Sequence, residues 1–317
     1  MIQSESNSTA TPRFSVVIPA YNYWLPLQEC LQSLAQQQNA PRFEVVVVDD
    51  GSVEAVPEMI RQWASVYPLR LLHQNHEGIS AARNLGIRNS HGEILLFVDA
   101  DCKVGLDTLA ALSSVIDRFP NQDSFQLRLV GDRTNLVGRA EELRLMTFQD
   151  HMLESDGRVR YLNTAGFAIR RKSVNLKTNL FDPSALRAED TLLLVELMQA
   201  GKPPLFVPEA VVEHAVPLSV TECLRKDVRS AIVENRTYDV IAAKGIRIRL
   251  THRERLTFLR SVWKASRRRS IGRSAFFLLV VRQTVKRTIS VALNVFGRFA
   301  RNSRALRSER SNRSPHS

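Results

Sequence analysis

The chain is poor in the features that would staple it, export it or carry it across a membrane. Its three cysteines, Cys30, Cys102 and Cys223, are odd in number, far apart and form no CxxC pair. That excludes a disulfide framework or a cysteine-rich zinc site, and it fits a reducing, cytoplasmic setting. No run reaches the roughly 18 apolar residues that a spanning helix needs, and the longest candidate, Ala275 to Val281, is broken by Arg282. Met1 to Thr11 is polar, with neither a basic leader nor an apolar centre. No secretory signal is expected there, and residues 1–12 read as a disordered lead-in. Internal repeats are absent. Acid is scarce at one end only: residues 220–317 hold 24 Lys+Arg against 6 Asp+Glu, whereas residues 1–219 hold 20 against 26. The net charge of +12 is therefore the sum of an acidic body, −6, and a basic end, +18. Such asymmetry implies an anionic partner, membrane or nucleic acid. Aromatics are 7% of the chain and sparse in its Arg-rich parts. With no nucleic-acid module recognisable either, nucleic acid ranks last.

What is present is an ordinary globular composition, 317 residues with 44% hydrophobic and 24% charged, long enough for a large core. Its hydrophobic pattern predicts strands over 14–19, 43–48, 69–73 and 94–98, alternating with helices over 26–38, 55–67, 79–89 and 107–119. Such alternation implies βαβ units and a parallel sheet. Further along it predicts a strand near 125–130, a helix near 141–153, a strand over 165–169 and a helix over 189–200. Short extended segments follow at 205–207 and 211–214.

Two of the apolar strands end in paired acids. Val45-Val46-Val47-Val48 runs into Asp49-Asp50-Gly51-Ser52, and Ile94-Leu95-Leu96-Phe97-Val98 into Asp99-Ala100-Asp101. Ligands of open α/β sheets sit outside the carboxyl ends of the strands. Carboxylates crowded there need a positive partner, and a hard divalent cation bridging to a diphosphate supplies one. Plainer readings stand beside this one. Asp49 to Ser52 can cap a helix, and Glu189-Asp190 suits a helix N-terminus through the dipole alone. His214 reads equally as a metal ligand or as a satisfied buried histidine.

Ser15-Val-Val-Ile-Pro-Ala-Tyr-Asn22, Val45 to Ser52, Ala82-Arg83-Asn84-x-Gly86, Gly92-Glu93 and Asp99-x-Asp101 occur in one order, followed by Phe181-Asp182, Glu189-Asp190-Thr191 and His214. Over about residues 14–216 this set resembles the family 2 glycosyltransferases, which have the GT-A fold. The resemblance implies an α/β, Rossmann-like, mostly parallel sheet flanked by helices. It also implies sugar transfer from a nucleotide diphosphate sugar, a UDP-sugar first, to a hydroxyl acceptor with inversion. It assigns Pro19, Ala20, Tyr21, Asn22, Asp50, Gly78, Arg83, Asp99 and Ala100 to the donor nucleotide, with Asp50 reading the base. Asp101 and His214 would hold a divalent metal, Mn²⁺ or Mg²⁺. Asp190 would be the general base, with Glu189, Gly166 and Phe167 near sugar or acceptor. Cys102 stands where the family usually has an acidic or polar residue. The Gln-x-x-Arg-Trp motif of processive members is missing, Arg260-Ser-Val-Trp263 being a distant echo, so single addition is expected.

The expected organisation is a catalytic domain over 13–217, a basic helical extension over 218–300 and a disordered basic tail over 301–317. In the extension Leu278, Val281, Val285, Ile289, Ala292, Phe296 and Phe299 recur every three or four residues, with Arg282, Lys286, Arg287 and Arg298 on the other faces. This pattern points to an amphipathic helix on an anionic membrane, with packing on the catalytic domain as the alternative. The reading is a peripheral enzyme on the cytoplasmic face of the membrane, acting on a carbohydrate or lipid-linked acceptor in polysaccharide or glycolipid synthesis. A polyprenyl-phosphate glycosyl transferase is a neighbouring possibility. A scaffold that binds sugar nucleotides without turnover, tethered by its tail, is the alternative of another class.

Overall fold

A computed structural model describes residues 11–184, 189–215, 219–243, 252–268 and 271–311. Residues 1–10 of the expected lead-in and 312–317 of the expected tail lie outside the described residues. So do the side chains of Phe296, Arg298 and Phe299.

The first half is built as the hydrophobic pattern predicts. β1 (Phe14–Ala20), α1 (Trp24–Ala35), β2 (Phe43–Asp49), α2 (Glu58–Arg61), β3 (Leu69–His73), α3 (Ile79–Arg88) and β4 (Ile94–Phe97) follow in order. The strands β3-β2-β1-β4 are all parallel. The apolar runs of β1, β2 and β4 are buried on both faces, while the edge strand β3 is only partly covered. Val16, Ile18, Val45 and Val47 enter one core. Val17 packs on the opposite face with Ile87, Leu95 and Phe97, and Val46 and Val48 lie with Ala82 on that side. Successive residues of a strand point to opposite faces, so one sequence run feeds two cores. Gly86 seats α3 on that second face: a Cβ there would lie 2.4 Å from Cγ1 of Val17. The glycine of the Ala82-Arg83-Asn84-x-Gly86 set thus serves close helix–sheet packing.

The second half departs from a simple parallel sheet. β5 (Cys102–Val104), α4 (Thr108–Arg118), β6 (Ser124–Gly131), α5 (Leu136–Met152), β7 (Phe167–Arg170), α6 (Glu189–Gln199) and β8 (Leu205–His214) complete an eight-stranded sheet ordered β3-β2-β1-β4-β7-β6-β8-β5. β4–β7, β6–β7 and β5–β8 are antiparallel, and β6–β8 is parallel. The sheet is therefore mixed. The two extended segments expected at 205–207 and 211–214 are one strand, with an irregularity in its register against β6 at Leu127/Arg128. The helix expected over 55–67 is only the short α2 and a 3₁₀ turn, Gln62–Ser65.

Three helices follow: α7 (Val220–Ala243), α8 (His252–Arg268) and α9 (Arg273–Ser311), the last continuing past the boundary expected at residue 300. They pack on the sheet-containing body through α5. Val137, Ala140, Leu143 and Met146 of α5 form one core with Cys223, Val262, Ala275, Leu278 and Leu279. Arg282, expected on a face away from the apolar stripe, lies between α7 and α5. Its Nε and Nη2 donate to Asp227 of α7 at 2.7 and 3.2 Å, and its Nη1 donates to Glu141 of α5 at 3.3 Å. All three side chains are nearly buried. Burial opposes charge on Glu141, but Arg144 and then Arg282 hold its carboxyl far below the usual carboxylate range. Removing one partner of a buried pair leaves uncompensated charge. Arg282→Gln is expected to destabilise the protein by about 3 kcal/mol, read as a lower midpoint in urea unfolding; an unchanged midpoint contradicts the clamp.

Candidate active site

The parallel register brings three strand ends level: Ala20 is opposite Asp49, and Asp49 opposite His73. β4 is paired only as far as Val17↔Phe97, so its continuation carries Asp99 to Asp101 out to the same edge. Pro19 and Ala20 are buried at the end of β1, and Ala100 is buried between the two aspartates. These three shape the rim through their backbone.

The first acidic pair folds a loop and caps no helix. Asp49 accepts from the Ser52 amide at 2.9 Å and meets Nδ1 of His73 at 2.9 Å. Asp50, 4% exposed, accepts from the amides of Glu77 at 2.9 Å and Gly78 at 3.0 Å, and from Nε2 of Gln74 at 2.7 Å. In this structure its carboxylate organises residues 74–78. Gly78, at φ +94°, leads into α3 with open space where a Cβ would stand. Asn22, at φ +53°, ties the two rims: its amide donates to Ser52 Oγ and its Oδ1 accepts from Val53, both at 2.8 Å. Tyr21 stays half-exposed, stacked on His76 with ring centroids 4.1 Å apart. His76 was not foreseen, since nothing local in the sequence marks it.

Arg83 lies beneath the rim, 1% exposed. Its Nη2 donates to Asp99 at 2.7 Å and its Nη1 to Glu189 at 2.6 Å, with the guanidinium over the Phe181 ring. Burial works against its charge, yet Asp99 and Glu189 raise its pKa overall. Arg83 therefore reaches the cleft through two carboxylates, and Asp99 keeps a side chain 28% exposed.

The second acidic set meets the late histidine through β5, a strand the sequence reading did not include. Cys102 pairs with His214 across β5 and β8, and Gly131 pairs with His214 on the other side. Nε2 of His214 lies 3.6 Å from Oδ2 of Asp101. Ligand atoms of Asp101, Cys102 and His214 all fall within 4.8 Å of one another. Burial, then the charges of Asp99 and Asp101, hold the Cys102 thiol protonated, far above its usual value. Thiolate sulfur prefers soft metals, whereas a carboxylate and an imidazole suit Mn²⁺ or Mg²⁺. Nδ1 of His214 is buried without a hydrogen-bond partner among the described residues, so Nε2 is the nitrogen turned to Asp101. Burial raises the Asp101 pKa; His214 opposes this, Asp99 adds to it, and Lys226 of α7 opposes it. Tyr23 is raised by burial, then by Asp101 and Glu222. Tyr23 and Lys226 were also missed; the alternation Tyr21-Asn22-Tyr23 was the available signal for the first.

α6 opens with the other acidic pair. Asp190 accepts from the Thr191 amide at 2.6 Å. Burial, and then the neighbouring charge of Glu189, raise its pKa to about 7. Gly166 and Phe167, expected near sugar or acceptor, both sit in packed positions. A Cβ on Gly166 would lie 2.8 Å from Leu129 and 3.3 Å from Leu127, so its missing side chain serves packing on β6. Phe167 is fully buried with Phe97 and Phe181 and presents nothing to the cleft.

Residues 15–177 match the model of the family described as Glycosyl transferase family 2. The glycosyltransferase YibD of Escherichia coli K12, itself described as uncharacterized, is 29% identical over 197 residues, 60% of this chain and 57% of that protein. This chain thus spans little more than half of that relative's length. TarS of Staphylococcus aureus superposes with a TM-score of 0.54 at 20% identity, covering 88% of this chain and 55% of that one. The mannosyltransferase PcManGT of Pyrobaculum calidifontis, solved with GDP-Man and Mn²⁺, gives 0.53 at 20% identity over 92% of this chain and 81% of that one. At such identity these structures show the shared GT-A fold alone.

Asp50→Ala removes the acceptor of two amides, each charge-assisted bond contributing about 2 kcal/mol. Amide hydrogen exchange at Glu77 and Gly78 is expected to quicken by at least about tenfold. Unchanged protection would show that the loop holds itself.

Proposed function

Because the chain belongs to glycosyl transferase family 2, we propose that it is an inverting enzyme moving a sugar from a nucleotide diphosphate sugar, a UDP-sugar first, to a hydroxyl acceptor. The observation that carries this reading is the Asp190 carboxyl, raised to about 7 beside Glu189, which Arg83 ties to Asp99. A base poised near working pH and held beside a donor-side acidic rim is what a single displacement requires. TarS has been solved with UDP and with UDP-GlcNAc, which supports testing UDP first. GDP remains open because of the mannosyltransferase structure.

In the proposed step the acceptor oxygen forms a bond to the anomeric carbon while that carbon's bond to the diphosphate oxygen breaks. Asp190 takes the acceptor proton, and the electron pair leaves with the nucleoside diphosphate. Asp190 accepts from Thr191 through Oδ1, and no hydrogen bond to its Oδ2 is found among the described residues. Glu189, held by Arg83, anchors the start of α6, and its charge keeps the Asp190 pKa raised. Tyr21 offers its exposed ring to the nucleobase, and Asp50 holds the loop that ends at Gly78. Asp101 and His214 are the residues that would hold Mn²⁺ or Mg²⁺. When bound, such a cation supplies counter-charge to the leaving diphosphate.

Catalysis is assigned to residues 13–217 and attachment to the helices beyond. No helix among the described residues is long and apolar enough to cross a membrane. The proposed setting is peripheral, on the cytoplasmic face, with a lipid-linked or polysaccharide acceptor receiving a single residue.

Three measurements test this. Titration calorimetry with UDP, GDP, dTDP and CDP, each with Mn²⁺, Mg²⁺ or chelator, is expected to show one nucleotide binding only with metal. Asp101→Ala should abolish that dependence, and equal affinity with and without chelator would remove the metal assignment. Asp190→Asn is expected to leave donor affinity unchanged and to slow transfer by about 10² to 10⁴; a wild-type rate would exclude it as base. Since the ionised form of Asp190 is the active one, transfer should rise with pH through about 7 and level off above.

A further inference from the structure

We propose that α8 and α9 jointly present a docking surface for an anionic lipid bilayer, on a face other than the stripe expected from the sequence. The inference rests on the peripheral-membrane reading above and gives it a specific surface. The expected stripe is divided in the structure. Its first member, Leu278, is buried against α5, whereas the next, Val281, is 49% exposed.

The outward line of α9 is Phe277, Val281, Thr284, Thr288 and Val291, all exposed and spaced by four, three, four and three residues. That spacing keeps them on one face of a helix. On α8 the exposed Leu256 and Leu259 continue to the partly exposed Trp263 by steps of three and four. The two lines meet in an aromatic cluster: Trp263 and Phe276 have ring centroids 4.9 Å apart, and Phe276 and Phe277 5.7 Å. Apolar side chains left exposed in line on two adjoining helices suit an interaction site.

The rim is cationic. Arg253, Arg260, Lys264, Arg267, Arg273 and Arg287 are exposed, and none is in an ion pair recorded among the described residues. Between residues 252 and 293 the sequence contains a single carboxylate, Glu254. Apolar and aromatic side chains edged by unpaired Arg and Lys match the boundary between headgroups and acyl chains of an anionic bilayer. A nucleic acid would use the cations and leave Phe277, Val281 and Leu256 in water. A second copy would bring cations against cations. On its other face α9 is locked to the catalytic body by Arg282, through Asp227 and Glu141. The surface is therefore rigid with respect to the site.

The test is co-sedimentation of the full chain with vesicles of phosphatidylcholine, with and without phosphatidylglycerol, at low and high salt. Binding is expected only with phosphatidylglycerol and is weakened by salt. Arg260→Gln, Lys264→Gln and Arg267→Gln together should weaken it roughly 100-fold, at about fivefold per cation. Phe277→Ser with Val281→Ser, both exposed positions, should weaken it at least tenfold with the thermal unfolding midpoint unchanged. Binding that survives both sets of changes overturns the proposal. So does absence of vesicle binding, whether the protein dimerises in sedimentation, retains a DNA duplex or does neither. Metal-dependent UDP binding is measured on the same variants and is expected to stay at the wild-type level. A lost donor site and a lost membrane surface are thereby separate results.

Discussion

The arrangement of the site depends on one buried guanidinium. Arg83 on α3 holds Asp99, which continues from β4, and Glu189, which opens α6. These carboxylates come from positions 106 and 16 residues away from it, and without the cation between them they would repel across a dry interior. A charge so deeply placed is tolerated only when paired and hydrogen-bonded, and both conditions are met. The ring of Phe181 covers the guanidinium, and Asn84, one residue on, exchanges hydrogen bonds with the Phe181 backbone at 2.7 and 3.1 Å. One turn of α3 thus anchors the segment leading to the proposed base.

A second dependence lies in the change of strand direction. The parallel half, β3-β2-β1-β4, sets its loops along one edge, as α/β sheets do. The antiparallel pairing of β5 with β8 then folds the chain back so that His214 stands beside Asp101. The C-terminal helices belong to the same body: they share a core with α5, and the charge of Lys226 on α7 opposes the rise of the Asp101 pKa. Their inner faces complete the globule, and Phe277, Val281 and Val291 of α9 stay exposed on the outside.

Much of this was legible in the residues. Val45 to Val48 and Ile94 to Val98 could only be strands covered on both faces, and acids at their ends could only collect at one edge. Other parts were not legible. Gly166 reads as a place for a ligand to approach, and in the structure it admits Leu127 and Leu129. Phe167 reads as a cleft residue and is core. Close approach to a ligand and close approach to a neighbouring strand make the same demand for glycine, so sequence pattern does not separate them. Arg282 shows the same limit for charge, since a helical wheel assigns a face but not what lies against it. The strand β5, three residues long, is held by its partner β8 and has too few residues to show a period.

By itself, then, the sequence determined the alternating α/β order, the acidic ends of two strands, the ordered motif set and the basic character of the last hundred residues. These follow from local chemistry: apolar periodicity, turn-forming residues and charge counts. Only the tertiary structure decided that Arg83 pairs with both Asp99 and Glu189, that Asp50 serves a loop, that burial and Glu189 raise the Asp190 pKa, and which face of α9 is outward. Each of those depends on what is packed against a side chain from a distant part of the chain. Desolvation and pairing are properties of that neighbourhood and cannot be read from the residue alone.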